Sequence, residues 1–292
     1  MRCGSAGKPD VSEEWGLDGH TNMGRDAALL ASAEKGRDGC RVYSWDGPWI
    51  SLGMMQVAER DLLPTNPVPW VMRPTGGKAV LHGHDVTVGL AVPLAAMVRH
   101  SESVERLSRS VRTVYRRIAA PLVVALQGCG LPARLAEETR FVGEAGRQSD
   151  PDPGDGTAAS RLREPSDHPH LTSPVKGEGF RTLPMRQVLK GEGSRSFATR
   201  QISRGTGRTA DCFAHVSPND IVHEVSGQKV CGCALRLTSS AVLVQASIPN
   251  GPPLVDPRLV FAAPNAMNAV RWDASEFAEK LGDALAALTA GP

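Results

Sequence analysis

The run Arg-Pro-Thr-Gly-Gly-Lys at residues 73–78 constrains the fold more than any other part of the sequence. Pro74 lacks a backbone donor and disfavours a helical conformation at Arg73, while Gly76 and Gly77 allow positive φ. A regular helix or strand is therefore excluded here, and a tight loop is expected. Such a loop would expose backbone N–H groups between two cations, which suits a carboxylate or phosphate. A surface turn with two solvated cations is the alternative.

Composition and charge limit the class of protein. The chain has 292 residues, of which 41% are hydrophobic, enough for a substantial core. It has 33 basic and 31 acidic residues, so nothing in the overall charge indicates a nucleic-acid or membrane-surface partner. The six cysteines are irregularly spaced and do not predict a disulfide framework. No apolar run is long enough to cross a bilayer, and residues 1–14 lack the apolar core of a signal peptide, so we expect a cytoplasmic protein.

Hydrophobic periodicity predicts the main elements of the first half. Residues 1–21 are expected to be a flexible tail, and an amphipathic helix should start at Asn22, its cap, and end near Gly36. Residues 42–43 and 49–52 are expected to form a hairpin around a turn at 46–48, and residues 86–92 a buried strand. One helix should run from Ser101 to about Gly128, bent at Pro121.

The second half begins with a change of composition. From about residue 142 to 208 the chain is rich in Gly, Pro, Ser, Asp and Arg, which predicts a disordered insertion that loops out of one domain spanning residues 22–292. After it, two strands should flank a turn at Ser226 and Gly227, followed by a strand at 242–248. A helix with a capping-box start at Asp273 should close the chain.

Three blocks of sequence stand out together. The loop at 73–78 continues as Ala-Val-Leu-His, with Asp85 and Thr87 following, and Trp45-x(5)-Ser-Leu-Gly-x-x-Gln precedes it. The third block comprises Cys-Phe at 212–213, Asn-Asp-Ile at 219–221 and Gly-x-Lys-Val-x-Gly-x-Ala-x-Arg from residue 227. These blocks resemble the lipoate and octanoate protein ligase and acyltransferase family, in the biotin/lipoate protein ligase superfamily. The resemblance implies an α/β domain of α+β type, with a central mixed or antiparallel sheet flanked by helices. It also implies a narrow tunnel for a medium-length acyl chain under the loop.

The same resemblance implies the residues of the site. Lys229 would stabilise the negative charge that develops during acyl transfer, and Cys212 would accept the acyl group as a thioester. The remaining residues implied to bind the acyl substrate are Arg73, Thr75, Gly76, Gly77, Lys78, His82, Gly232 and Ala234. The alternatives are a solvent-facing lysine at 229, a buried core thiol at 212 and a structural histidine at 82.

Two further kinds of site are not expected. Cys231 and Cys233 share one face of a strand, but no second ligand pair with zinc-like spacing appears, so we expect no metal site. A P-loop is excluded because Met72 stands where its first glycine is required and Ala79 where it needs Ser or Thr. Any nucleotide would be held in the manner of the ligase family.

The function implied by the resemblance is transfer of an octanoyl or lipoyl group onto a specific lysine of a lipoyl carrier domain. The acceptors would be lipoyl domains of 2-oxoacid dehydrogenase complexes or the glycine cleavage H protein. In a transferase, acyl carrier protein would donate octanoyl to Cys212 without a tightly bound cofactor. In a ligase, ATP and Mg²⁺ would activate free lipoate as lipoyl-adenylate, with or without a separate accessory subunit.

We favour the transferase because Cys212 is present and the carboxy-terminal accessory domain of stand-alone ligases is not seen. A catalytically inactive module that binds lipoyl domains is the non-enzyme alternative, and the presence of Lys229, Arg73 and the glycine pair argues against it. We expect a monomer. The sequence leaves the acyl donor and the chain length open.

Overall fold

The computed structural model describes residues 11–99, 102–136, 209–264 and 270–289, all of which belong to one compact unit. The strands are β1 (Val11–Leu17), β2 (Gly39–Trp45), β3 (Ile50–Leu52), β4 (Trp70–Met72), β5 (Val80–Leu81), β6 (Asp85–Pro93), β7 (Ala133–Leu135), β8 (Ile221–His223), β9 (Lys229–Leu237) and β10 (Ala241–Pro249). The helices are α1 (Gly19–Ala33), α2 (Ala58–Asp61), α3 (Leu94–Met97), α4 (Val104–Ser108), α5 (Val111–Gly128) and α6 (Phe277–Thr289).

Seven of the described strands form one mixed sheet in the order β1-β2-β6-β10-β9-β8-β7. Strands β1 and β2 are parallel, and the other neighbours in this sheet are antiparallel. Strands β4, β3 and β5 form a second, three-stranded sheet. The predicted fold class, α/β with a central mixed sheet flanked by helices, is confirmed.

The central strands β6 and β10 are buried along their whole length, because helices cover both faces of the sheet. On one face, Val88, Leu90 and Val244 pack with residues of α5 and α6 such as Ile118 and Phe277. Residues of these strands that point the other way, including Ala91 and Leu243, pack against α1. Each fully buried aliphatic side chain contributes about 1.5–3 kcal/mol.

The expected flexible tail is wrong for residues 11–21, while residues 1–10 lie outside the described part. Residues 11–17 form β1, and α1 begins at Gly19 with Asp18 as its cap, whose Oδ1 accepts hydrogen bonds from the N–H groups of His20 and Thr21. Asn22, the predicted cap, is buried inside α1 and donates to Leu17 O. Composition missed β1 because an ion pair between Glu14 and the buried Arg41 helps to hold this polar strand.

Two other predictions also need correction. Strands β2 and β3 do not form a hairpin, because both edges of β2 are already paired with β1 and β6, and β3 joins the smaller sheet. The helix expected from residue 101 is two helices, α4 and α5, separated at residues 109–110. The capping hydroxyl of Ser103 starts α4, and Pro121 lies inside α5.

The buried strand at 86–92, the turn before β9 and the presence of a carboxy-terminal helix are confirmed. That helix begins at Phe277, later than the predicted start at Asp273, whose Oδ1 accepts from Ser275 N. Gly227 has a φ of 67°, which explains the glycine in that turn. The predicted insertion at 142–208 lies outside the described residues. In the part of the chain that is described, no helix combines the length and apolar character needed to span a membrane.

Candidate active site

A pocket with about 330 Å³ of empty space lies on the α1 side of the central sheet. The lining residues are Met23, Tyr43, Trp45, Ser51, Arg73, Val80, His82, Thr87, Cys212, Gly232, Cys233, Ala234, Gln245, Ala246 and Ser247. Residues from the second and third sequence blocks, which are far apart in the chain, therefore border one cavity.

Cys212 is placed by backbone hydrogen bonds to Ala79, which directly follows the loop at residues 73–78, called the signature loop from here on. Ala79 N donates to Ala210 O at 2.9 Å, and Cys212 N donates to Ala79 O at 2.8 Å. Cys212 then opens a short 3₁₀ turn, residues 212–214, in which Asp211 Oδ1 accepts from Phe213 N. The loop and the candidate nucleophile are thus joined directly, although about 130 residues separate them in sequence.

Lys229, the first residue of β9, points its ammonium group at Cys212. Its Nζ lies 2.8 Å from Cys212 O, 3.4 Å from Cys212 Sγ and 3.0 Å from Asp220 Oδ2. The lysine side chain is only 5% exposed. Burial by itself would lower the pKa of Lys229, but the negative charges of Cys212 and Asp220 outweigh that effect and raise it. Lys229 is therefore charged at neutral pH.

Gly232 makes room for this pair of side chains. A Cβ at Gly232 would lie 3.3 Å from Cys212 Sγ and 3.3 Å from Lys229 Cε, tighter than most Cβ contacts. Ala234, two residues further along the same face of β9, borders the pocket where it meets the loop at Gly77. Both residues shape the site by their small size.

The buried side chain of Arg73 stabilises the signature loop by donating hydrogen bonds to backbone carbonyls. Its guanidinium donates to Gly76 O at 2.6 Å, Lys78 O at 2.7 Å and Ser51 O at 2.9 Å. Burial lowers the pKa of Arg73 to about 10, against the opposing charges of Cys212 and Tyr43, so the group stays protonated at neutral pH. The expected ligand grip between Arg73 and Lys78 does not fit this geometry, because the Arg73 donors are turned towards the loop. Lys78 is partly exposed, and its side chain does not line the pocket.

Thr75 and the glycines hold the loop against the rest of the domain. Thr75 Oγ1 donates to Gln245 Oε1 at 2.6 Å, and Gln245 Nε2 donates in turn to the buried carboxylate of Asp26. Gly77 has a φ of 88°. A Cβ at Gly53 would lie only 2.0 Å from Gly77 O, so the Ser-Leu-Gly block contacts the loop backbone closely. Thr75, Gly76 and Gly77 therefore position the loop and do not line the pocket.

His82 lies in a buried hydrogen-bond network on the pocket wall. Its Nε2 is 2.8 Å from Ser51 Oγ, its Nδ1 is 2.8 Å from Asp85 Oδ2, and its ring stacks on Trp45. Asp85 also accepts a hydrogen bond from Ser247 Oγ. Burial would raise the pKa of Asp85, but His82 and these hydrogen bonds lower it to about 2.

Several residues of the site were not predicted as site residues, and four of them have polar side chains that bear on the chemistry. Asp220 contacts Lys229, and Ser51, Gln245 and Ser247 line the pocket. Asp220 and Ser51 do stand in two of the blocks that carry the family resemblance. Gln245 and Ser247 interrupt an otherwise apolar strand, a sign that this face of β10 meets polar groups.

Cys231 lies in the core that α5 and α6 cover, and Cys233 packs against that core while also bordering the pocket; their sulfur atoms are 3.5 Å apart. Burial raises the pKa of the Cys231 thiol well above its ordinary value. Within the described ranges, no group of three or more His, Cys, Asp or Glu residues is arranged to hold a metal ion.

Comparison with known proteins shows which family this chain resembles. Residues 18–149 match the model of the lipoyl protein ligase A/B catalytic domain. This part of the chain is therefore similar to the lipoate and octanoate protein ligase family. Among similar proteins, octanoyltransferase LipM of Kyrpidia tusciae is 35% identical over 133 residues, 44% of each chain. Octanoyltransferase LipM of Exiguobacterium sp. is 37% identical over 109 residues, 34% of this chain and 40% of that protein. The matched region thus spans less than half the length of these relatives.

Solved structures of lipoate protein ligases share the fold. The ligase of T. acidophilum with bound lipoic acid aligns with a TM-score of 0.55 at 15% identity, covering 98% of this chain and 87% of the other. A structure from work on a bi-partite lipoate protein ligase and its E2 lipoyl domain from Thermoplasma acidophilum aligns with a TM-score of 0.52 at 15% identity, covering 97% of this chain and 85% of the other. At such low identity these structures support the architecture alone.

Proposed function

We propose that this chain is an acyltransferase that moves an octanoyl or lipoyl group onto a lysine of a lipoyl carrier domain, by way of a thioester on Cys212. The observation that carries the proposal is the contact between Cys212 Sγ and the buried Lys229 ammonium at the edge of the pocket. A cysteine thiolate is the form that attacks a carbonyl carbon, and an ammonium beside it can stabilise the negative charge that develops on the carbonyl oxygen. The naming of relatives as octanoyltransferases supports the same chemistry.

In the first half-reaction, the Cys212 thiolate attacks the carbonyl carbon of an octanoyl thioester on acyl carrier protein. The new carbon–sulfur bond forms as the bond to the carrier's sulfur breaks, and the carrier leaves as a thiol after taking a proton from solvent. Lys229 stabilises the negative charge on the carbonyl oxygen in the transition state. The ammonium N–H of Lys229 that now points at Cys212 Sγ, with Nζ and Sγ 3.4 Å apart, is the donor best placed to turn to the carbonyl oxygen. It becomes available because the sulfur loses its negative charge as the carbon–sulfur bond forms.

In the second half-reaction, the neutral amine of the carrier-domain lysine attacks the thioester carbonyl. An amide bond forms, the bond to Cys212 breaks, and the amine proton passes to solvent. The departing thiolate regains its ion pair with Lys229, which returns the site to its starting state. No redox step or tightly bound cofactor is required.

The pocket provides apolar walls for the acyl chain. Met23, Trp45, Val80 and Ala234 border the cavity that begins at Cys212. Each methylene buried there contributes about 0.8 kcal/mol to binding. The acceptors in this proposal are lipoyl domains of 2-oxoacid dehydrogenase complexes or the glycine cleavage H protein, and the reaction is placed in the cytoplasm.

The alternative is an ATP-dependent ligase that forms lipoyl-adenylate with ATP and Mg²⁺, with or without an accessory subunit. The structures that share the fold belong to proteins named as ligases, one of them bi-partite. An adenylating enzyme does not need the Cys212 thiol. The two chemistries therefore make opposite predictions for a variant that lacks this group.

The experiment that tests the proposal supplies an apo lipoyl domain with either octanoyl carrier protein or free lipoate, ATP and Mg²⁺, and follows the mass of the domain. We expect modification with the carrier protein, abolished in Cys212→Ser and in Lys229→Ala. Cys129→Ser is the matched control, because Cys129 lies at the end of α5, outside the pocket lining. Lipoylation that requires ATP and survives in Cys212→Ser would replace the transferase by the ligase.

A further inference from the structure

Asp220 is the carboxylate that contacts Lys229 in the described structure. It immediately precedes β8, and its Oδ2 accepts from Ser217 N at 2.7 Å and from Lys229 Nζ at 3.0 Å. The side chains of Asp220 and Lys229 are 3% and 5% exposed. In a buried ion pair of this kind, each group stays charged only while the opposite charge remains beside it.

The charge around Lys229 changes during the proposed reaction. In the resting site the ammonium contacts both the Cys212 sulfur and the Asp220 carboxylate. Once Cys212 is acylated, its sulfur is a neutral thioester and Asp220 is the anion that remains in contact. A buried ammonium without an anion tends to lose its proton, because desolvation penalises the charged form.

We propose that Asp220 is a positioning residue that keeps Lys229 protonated and aimed at the carbonyl oxygen in the acyl-enzyme. This inference rests on the proposed function. Its consequence is that transfer to the carrier lysine depends on Asp220 more strongly than acylation of Cys212 does. At the start of acylation the Cys212 thiolate still pairs with the Lys229 ammonium. During transfer the sulfur is uncharged, so the Asp220 carboxylate has to pair with that ammonium.

Three other titratable groups interact with Lys229, Asp220 or Cys212. Cys231 interacts electrostatically with both Lys229 and Asp220, and burial keeps its thiol neutral. Arg73 interacts electrostatically with Cys212, and Tyr115 of α5 interacts electrostatically with Asp220. Burial raises the pKa of Tyr115, so its hydroxyl is neutral too. Apart from Cys212, none of these groups supplies a negative charge that would replace Asp220.

The kinetic test compares the two half-reactions in Asp220→Asn. An asparagine side chain still offers an oxygen to Ser217 N, so the turn before β8 keeps its hydrogen bond. We expect transfer from preformed acyl-enzyme to slow at least about tenfold more than acylation does. The deficit should grow with pH, because the pKa of Lys229 falls in the variant and deprotonation then removes the cation.

Asp220→Glu should recover part of the transfer rate, since it restores a carboxylate. Asp256→Asn is the control, because Asp256 pairs with the exposed Arg258 and should leave both half-reactions unchanged. Equal slowing of the two half-reactions by Asp220→Asn, or a deficit that does not vary with pH, would overturn the inference.

A second measurement does not depend on activity. In Cys212→Ala, residue 212 is uncharged, as it is in the acyl-enzyme, and the Lys229 ammonium can be titrated by NMR of lysine labelled at Cε. Adding Asp220→Asn should lower the pKa of Lys229 by at least about one unit. An unchanged pKa would refute the role given to Asp220. If the wild-type protein forms no acyl-enzyme, the proposed function fails, while this titration still decides the electrostatic claim.

Discussion

Replacing Gly53 with alanine tests whether the Ser-Leu-Gly block sets the position of the signature loop. The added Cβ would lie 2.0 Å from Gly77 O and 2.9 Å from Gly77 C, whereas real Cβ atoms stay at least 3.0 Å from such atoms. The two backbone segments would have to separate by about 1 Å. The loop resists that movement, because Arg73 holds Gly76 O and Lys78 O, and Ala79 is bonded to residues 210 and 212.

Overpacking of this kind costs about 1–3 kcal/mol of folding free energy. For a domain of this size each kcal/mol lowers Tm by about 2–4 °C. Activity should fall further than stability, because a displacement of about 1 Å in a positioned site can reduce the rate roughly 10²-fold. Gly53→Ala should therefore fold, melt a few degrees lower and transfer octanoyl groups much more slowly.

The assay pairs denaturant unfolding with the rate of octanoyl transfer to a lipoyl domain. Gly24→Ala is the matched control: Gly24 lies in α1, and a Cβ there meets nothing within 4 Å. That control should gain about 0.5–1 kcal/mol from the better helix former and keep its activity. If Gly53→Ala matched the wild type in both stability and rate, the close contact between the two loops would be refuted.

Two further predictions concern buried charge. Arg41→Met should lower the free energy of unfolding by about 3–5 kcal/mol in urea titrations, because Arg41 pairs with the fully buried Asp26, and a retained wild-type value would contradict this pairing. Stability should also fall by roughly 2–3 kcal/mol between about pH 5 and pH 1, since the pKa of Asp85 is lowered to about 2 in the folded protein and rises to its ordinary value on unfolding. Asp85→Asn should flatten that part of the stability profile, and an unchanged slope would show that other groups cause it.

Secondary structure and turns were predicted most reliably where the local sequence pattern agrees with the environment of the residues in the fold. Strand β6 is apolar and buried on both faces, and the glycine at 227 requires positive φ, so both predictions held. The resemblance also pointed to the residues that the structure brings together at the pocket, among them Cys212 and Gly232. These contacts follow from pairing between distant strands, which local pattern does not reveal.

The errors arose where distant partners decide the outcome. Residues 11–17 looked like a tail because the local sequence does not show that Glu14 forms an ion pair with Arg41 of the neighbouring strand β2. The hairpin at 42–52 failed because β1 and β6 occupy both edges of β2. Arg73 is a different case: it lines the pocket as implied, although its guanidinium also donates to loop carbonyls three and five residues away. A guanidinium has enough donors to satisfy such a loop, and sequence does not show which acceptors it meets.

The central claim is that Cys212 carries the acyl group, and one measurement tests it most directly. The full chain is mixed with octanoyl carrier protein, without any lipoyl domain, and its intact mass is recorded. We predict one added octanoyl group, removed by hydroxylamine, absent in Cys212→Ser and formed more slowly in Lys229→Ala, where the cation beside the thiol is missing. An unmodified wild-type protein that lipoylates its acceptor with ATP, and does so equally well as Cys212→Ser, would contradict the account.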